Sequence, residues 1–326
     1  MNCKACFPGD ITYKIKFMGE ENSIFISFIR HHLTGKNQLI KHQENVLIVK
    51  EEAVPGLVDF IFDHMHYSEV YFALDDNVWR PIKEITTIFE SQWVDQIITN
   101  QLVTTFAQPI VDRNEEVYGY EMLSRFKRDD KEGYLAPFEV FQAAKIRNRM
   151  YALDKVCRMT AVRNAAKLQK KVFINFIPTA IYSPQHCLKS TVQLAHELSI
   201  DPSLFVFEVV ETEEIEDLNH LKNILMYYKE KGFEYALDDV GEGFSTKEML
   251  EELAPNYMKL DMKYVQGVSN DPSKQLTAKK FLNSAKTVGS VPLAEGVELR
   301  EDFEWLKKEG YQLFQGYLFG KPAPIV

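Results

Sequence analysis

Six short apolar runs in the second half of this chain each end in a residue able to do chemistry. Val172-Phe173-Ile174 leads to Asn175, and Leu204-Phe205-Val206-Phe207 leads to Glu208. Glu234-Tyr235-Ala236-Leu237 leads to the pair Asp238 and Asp239, and Tyr257-Met258 to Lys259. Val291-Pro292-Leu293-Ala294 leads to Glu295, and Gln312-Leu313-Phe314 to Gln315. With Glu121, which closes an earlier run, the set offers carboxylates, amides and one amine, with no thiol or imidazole. Oxygen donors of this kind suit hard cations such as Mg²⁺ or Mn²⁺. So many carboxylates on one face would repel one another without cations. Adjacent Asp238 and Asp239 can bridge two ions or split between them, and a two-metal clamp stabilises the attacking and leaving oxygens of phosphoester hydrolysis. Lys259 is placed to orient the attacking water or help deprotonate it, and to steady developing charge.

Each residue alone has a plainer explanation. Glu208 and Glu211 precede an acidic helix start and could serve only as caps. Asp238-Asp239 before Gly241, and Gln315-Gly316, read as ordinary turns, and Lys259 as a solvated lysine. What these explanations miss is the recurrence, since all of the residues fall at strand ends.

The elements that must carry them follow from periodicity. Phe106–Val111 and Val117–Glu121 are strands joined by the short turn 112–116, which permits only antiparallel neighbours. After that, apolar runs alternate with amphipathic, helix-length stretches at 149–169, 214–231, 272–288 and 300–309. Repeated βα units with about eight strands close most simply as a TIM-like (β/α)8 barrel. Its C-terminal mouth would gather the strand-end residues, and the hairpin sets one strand against the others.

Residues 1–80 read as a small α+β module of regulatory or sensor type. Strands are expected at Ile11–Phe17, Ser23–Phe28, Asn45–Val49 and Ser68–Leu74, with a helix from Ala53 to about His64. The segment 81–102 is expected to be a connecting amphipathic helix, and 103–326 the barrel. His31, His32, His64 and His66 are read as surface or packing residues. Cys3 and Cys6 form a lone CxxC with no second pair to complete a zinc site.

The 326 residues carry 38 basic and 47 acidic side chains, a net charge of −9, with 45% hydrophobic residues. That is enough for a core. The acidic balance argues against binding a DNA or RNA polymer through its backbone, though metal ions could still bring a nucleotide to an acidic mouth. No apolar run spans a bilayer, and the N-terminus lacks the apolar stretch of a signal peptide. A cytoplasmic protein with no membrane insertion is the expectation.

At these residues the sequence resembles the EAL-domain family of cyclic di-GMP phosphodiesterases, over about 100–326. Gln108-Pro109-Ile110-Val111-Asp112 matches the opening strand. Glu121-Met122-Leu123 stands at the Glu-Ala-Leu signature, with Arg125 following. Asn175, Glu208 with Glu211, Asp238-Asp239-Val240-Gly241, Lys259-Leu260-Asp261, Ala294-Glu295-Gly296-Val297-Glu298 and Gln315-Gly316-Tyr317 follow in order. The resemblance implies hydrolysis of one phosphodiester of cyclic di-GMP to linear pGpG, with two Mg²⁺ or Mn²⁺ ions per site. Glu121, Asn175, Glu208 and Asp238 would hold one metal. Asp239 would bridge or serve the second, and Glu295 and Gln315 would complete the site. It further implies that Lys259 assists the water, that Gln108, Leu123, Arg125 and Asp261 contact substrate, and that Glu211 braces the loop after Asp239. A homodimer through the barrel is also implied. Departures are Met122 for the signature Ala, Val210 for Thr, and Val240 and Glu242 where the family has Phe and Thr. The altered loop leaves an alternative: a catalytically weak receptor that binds cyclic di-GMP and signals through the N-terminal module.

Overall fold

The computed structural model describes residues 11–74, 77–127, 133–209, 217–241 and 245–325. Two compact units emerge. One runs up to Leu102 and takes in Phe126–Leu153; the other comprises Val103–Arg125 and Asp154 onward.

The first unit carries a five-stranded antiparallel sheet. Its strands are β1 (Thr12–Phe17), β2 (Leu39–Gln43), β3 (Val46–Lys50), β4 (Val70–Ala73) and β5 (Arg80–Pro81), in the order β2-β3-β1-β4-β5. β1 alternates buried and half-buried residues along its length, as a strand with one covered face must. Tyr13, Ile15 and Phe17 meet Ile29 and Leu33 of the helix Glu20–Gly35, and Leu57 and Ile61 of the helix Val54–His64, in one core.

Two expectations are corrected here. Residues 23–28 lie inside the helix Glu20–Gly35 and form no strand. Six alternating residues are too short a window to separate the two periods. The buried positions Asn22, Ile29 and Leu33, seven and four apart, are helical. The segment 81–102 holds two short helices, Ile85–Glu90 and Trp93–Thr99, broken at Ser91-Gln92, where one helix was expected. Ile82, Ile85 and Ile88 belong to the core of the first unit. β2 went unforeseen because its exposed Ile40 and polar Lys41, His42 and Gln43 mask the alternation.

The second unit is the expected barrel. Its strands are β6 (Val103–Asp112), β7 (Val117–Lys127, whose last two residues count with the first unit), β9 (Lys171–Phe176), β10 (Phe205–Val209), β11 (Glu234–Val240), β12 (Tyr257–Leu260), β13 (Val291–Ala294), β14 (Leu313–Gln315) and β15 (Ala323–Pro324), while β8 (Tyr134–Leu135) falls in the first unit's Phe126–Leu153. The order β6-β14-β13-β12-β11-β10-β9-β7, closed by β7 pairing with β6, makes eight strands in a ring. β7 and β9 to β14 run parallel, and β6 lies antiparallel to β14. The cause is the turn after β6. Asp112 accepts the amides of Asn114 and Glu116, and Glu115 takes φ 64°, reversing the chain within a few residues. β10 and β12 are buried along their whole length, as parallel strands covered on both faces should be. Ile110, Phe173, Val206, Ala236, Leu293 and Leu313 pack inside the ring.

Local chemistry sets the helix ends. The helix Pro272–Val288 begins at Asp271, whose carboxylate accepts the amides of Ser273 and Lys274, has Pro272 at its first position and stops at Gly289 with φ 76°. No helix among the described residues is long and apolar enough to cross a membrane. Cys157 and Cys187 are buried free thiols, and Cys3 and Cys6 lie outside the described residues.

Candidate functional site

Parallel strands put all their C-terminal ends on one rim of the barrel. Lys259, near the end of β12, is 1% exposed and extends among three carboxylates. Its Nζ lies 2.7 Å from Glu208 Oε1, 2.8 Å from Asp238 Oδ1 and 2.6 Å from Glu295 Oε1. Beside this cluster Glu121 of β7 accepts from Asn175 Nδ2 at 3.1 Å and from Gln315 Nε2 at 2.6 Å. Gln315 Nε2 also reaches Gln108 Oε1 at 3.2 Å, and Gln108 donates to the Gly320 carbonyl. Oxygens of Asp238, Asp239 and Glu295 lie within 4.8 Å of one another, close enough to share a cation. The residues singled out at strand ends are therefore brought together, including Asn175 and Gln315, whose amide nitrogens here take up Glu121.

Both Asp238 and Asp239 reach the rim because the strand is irregular. Side chains on a regular strand alternate sides. The β11–β12 register shifts between Leu237 and Val240, and Asp239 adopts φ 48°. A bulge of this kind re-aims a side chain at a functional edge.

Charge is concentrated and mostly desolvated. Glu121, Glu208, Asp238, Asp239 and Glu295 share the single ammonium of Lys259. Burial pushes the Glu208 and Glu295 carboxyls well above the usual range, with Lys259 pulling the other way. Desolvation at the crowded mouth, then the Asp238 charge, push Asp239 up to about 7. Burial works against the Lys259 charge, but Asp238, Glu208 and Glu295 outweigh it and hold the amine protonated well above the usual lysine range.

The donor set fits divalent cations. Glu208 is fully buried, and its Oε2 has no hydrogen-bond partner among the described residues. Gln315 Oε1 is likewise buried and unpartnered. Orphaned buried oxygens are costly, and hard cations satisfy oxygens of this kind.

The Arg125 guanidinium lies over the Phe106 ring, 5.1 Å from its centroid, and donates to the Ser124 carbonyl. Leu123 is half-buried. Asp261 caps the short helix Met262–Val265 by accepting from the Lys263 amide, and its carboxyl raises the proton affinity of Asp239. Met122 is buried and Val240 fully so. Glu211, Val210 and Glu242 lie outside the described residues.

Sequence reasoning missed Tyr264. Its hydroxyl donates to the Gly241 carbonyl at 3.0 Å. Gly241 has φ 112°, and a Cβ there would lie 2.6 Å from the Tyr264 ring. The signal available was an aromatic residue three positions after Asp261. It also missed a second polar cluster at the opposite strand ends. There Tyr118 and Tyr257 share a hydrogen bond, Tyr257 donates to Glu234, and Glu234 pairs with Lys171.

Comparison with known proteins agrees with this fold. Residues 91–322 match the EAL domain. A probable cyclic di-GMP phosphodiesterase of Escherichia coli K12 is 29% identical over 70% of this chain and 46% of its own length. A cyclic di-GMP phosphodiesterase of the same organism is 25% identical over 73% of this chain and 37% of its own. This chain thus spans less than half the length of either curated relative. A standalone EAL protein of Vibrio cholerae O395, solved in its c-di-GMP-bound form, is 36% identical, with a TM-score of 0.61 over 68% of this chain and 92% of that one.

Proposed function

We propose, on the premise that this chain belongs to the EAL-domain family, that it hydrolyses one phosphodiester bond of cyclic di-GMP to give linear pGpG. The observation that carries this reading is the buried Lys259 ammonium held by Glu208, Asp238 and Glu295 at the mouth of a closed barrel.

Bound Mg²⁺ or Mn²⁺, two ions per site, would polarise the phosphate and supply hydroxide at neutral pH. Glu121, Asn175, Glu208 and Asp238 would hold one ion. Asp239, Glu295 and Gln315 would serve the second, directly or through water. Asn175 and Gln315 donate to Glu121, which fixes its carboxylate orientation. Lys259 would orient the attacking water or help deprotonate it, and offset charge developing on phosphate oxygen. The Arg125 guanidinium, steadied over Phe106, would take a phosphate oxygen. Gln108, Leu123 and Asp261 would line the dinucleotide. The first unit, with its own core, would regulate.

The test is turnover of cyclic di-GMP with Mg²⁺ or Mn²⁺, with chelated protein and Glu121→Ala as controls. Glu121→Ala should lose at least about 100-fold in rate. No turnover by the wild type with either ion would sink the reading, and tight binding without turnover would favour the receptor.

A further inference from the structure

The five-stranded sheet of the first unit packs its helices on one face. Tyr13, Ile15 and Phe17 of β1 point to them, so Thr12, Lys14 and Lys16 point the other way. The register carries that second face across the neighbouring strands. Lys14 lies opposite Ile48 and Ala73, and Lys16 opposite Val46 and Tyr71. Lys50 lies opposite Thr12, and Lys41 of β2 opposite Ile48. Trp79, 41% exposed, precedes β5, and the Lys16 ammonium lies 5.5 Å from the centroid of its ring.

Four lysines therefore share one face with two aromatic rings. Opposite charges across strands stabilise a sheet, yet these lysines face apolar, aromatic and hydroxyl residues. No carboxylate lies on this face among the described residues. Lys14 donates to the neutral Asn77. The net charge of −9 is thus unevenly spread. On the other side of the unit the helices Glu20–Gly35 and Val54–His64 expose Glu20, Glu21, Asp59 and Asp63. The whole-chain charge that argues against a nucleic-acid polymer averages over these two sides. A face with this charge is complementary to an extended anion, and the rings decide which one. Bases stack on aromatic side chains while neighbouring cations take the phosphates. An anionic bilayer would need apolar side chains standing beyond the lysines, whereas Val46, Ile48 and Tyr71 are half-buried among them.

We propose that the outer face of this sheet binds single-stranded nucleic acid. Tyr71 and Trp79 stack on bases, and Lys14, Lys16, Lys41 and Lys50 take phosphates. Neither ring presents a donor and acceptor pattern that reads a base edge, so binding is tolerant of sequence. With four cations it is also weak and sensitive to salt.

Fluorescence anisotropy of a labelled 12-nucleotide RNA of mixed sequence, titrated with the full chain in EDTA, tests this. Chelation keeps metal at the barrel mouth from holding the RNA. Affinity should fall with salt, with a log–log slope of about −3 for four phosphate contacts. Lys14→Gln with Lys16→Gln should roughly halve that slope, and so should Lys41→Gln with Lys50→Gln. Tyr71→Val and Trp79→Ala should each weaken binding about 10-fold and leave the slope unchanged. All four variants should unfold near the wild-type temperature. The same RNA annealed to its complement should compete poorly, because its bases are not free to stack. No anisotropy change at low salt would overturn the proposal. So would equal competition by the duplex, displacement by excess cyclic di-GMP, or binding that the lysine and aromatic variants leave intact. Capture of the chain by anionic phospholipid vesicles in place of RNA would overturn it in favour of a membrane surface.

Discussion

On the proposed reading, Lys259 is the residue on which the chemistry turns. Its ammonium is buried among Glu208, Asp238 and Glu295 and stays charged because they outweigh the cost of desolvation. Lys259→Met would remove that charge while leaving the oxygen donors in place. With no competing cation, the variant should bind Mn²⁺ at least as tightly as the wild type, measured by calorimetry. Its hydrolysis should fall by about 10²–10⁴-fold. Equal loss of metal binding and rate would make Lys259 a mere structural support. The carboxylates make a second prediction. Asp239, Glu208 and Glu295 have raised proton affinity in the fold, so the native state holds more protons than the unfolded chain. Stability without metal should therefore fall as pH rises from about 4, where unfolded carboxyls titrate, through the value of about 7 at Asp239. Excess Mn²⁺ should reverse that slope, and its binding should release protons to buffer. Urea unfolding at a series of pH values, with and without Mn²⁺, reads both effects, and a flat metal-free profile would contradict them.

At the scale of elements, the strand ends were legible because their residues are adjacent in sequence to the apolar runs that position them. Asn175, Glu208, Lys259 and Gln315 each follow from the run before. The parallel barrel followed from the βα alternation, and its one reversed strand from the short turn at 112–116. What lies off that pattern was not legible. Residues 23–28 alternate as a strand would, yet the helix wins because Ile29 and Leu33 reach the β1 core only from a helical backbone. The bulge that aims both Asp238 and Asp239 at the rim depends on pairing with β12, a long-range fact. The same holds for Tyr264, which pins Gly241 beyond that bulge. Tyr264→Phe removes one hydrogen bond and should cost about 1 kcal/mol of stability. Metal affinity should drop about 10–100-fold, with the rate recovering at high Mn²⁺. A rate that stays low at saturating metal would show that Tyr264 acts elsewhere.

For the whole molecule, the first unit is held by more than its sheet. Arg147, 1% exposed, makes two bonds to Asp95 Oδ2, at 3.0 and 2.8 Å, and meets Glu51 at 2.6 Å and the Tyr13 hydroxyl at 3.2 Å. It thereby ties Phe126–Leu153 to β1, to the turn after β3 and to the helix Trp93–Thr99. Breaking a buried pair leaves its partners uncompensated, so Arg147→Met should cost about 3 kcal/mol in urea unfolding. A cost below about 0.5 kcal/mol would place it with ordinary surface pairs. None of these partners could be paired from sequence, since they lie 52 to 134 residues apart. The barrel, by contrast, gathers its candidate ligands on one rim, and the proposed reaction there can be followed atom by atom. Protein incubated with cyclic di-GMP and Mn²⁺ in H₂¹⁸O should yield linear pGpG with one ¹⁸O on its terminal phosphate, read by mass spectrometry. Recovery of intact, unlabelled cyclic di-GMP with both Mg²⁺ and Mn²⁺, or a linear product without the label, would contradict hydrolysis by this site.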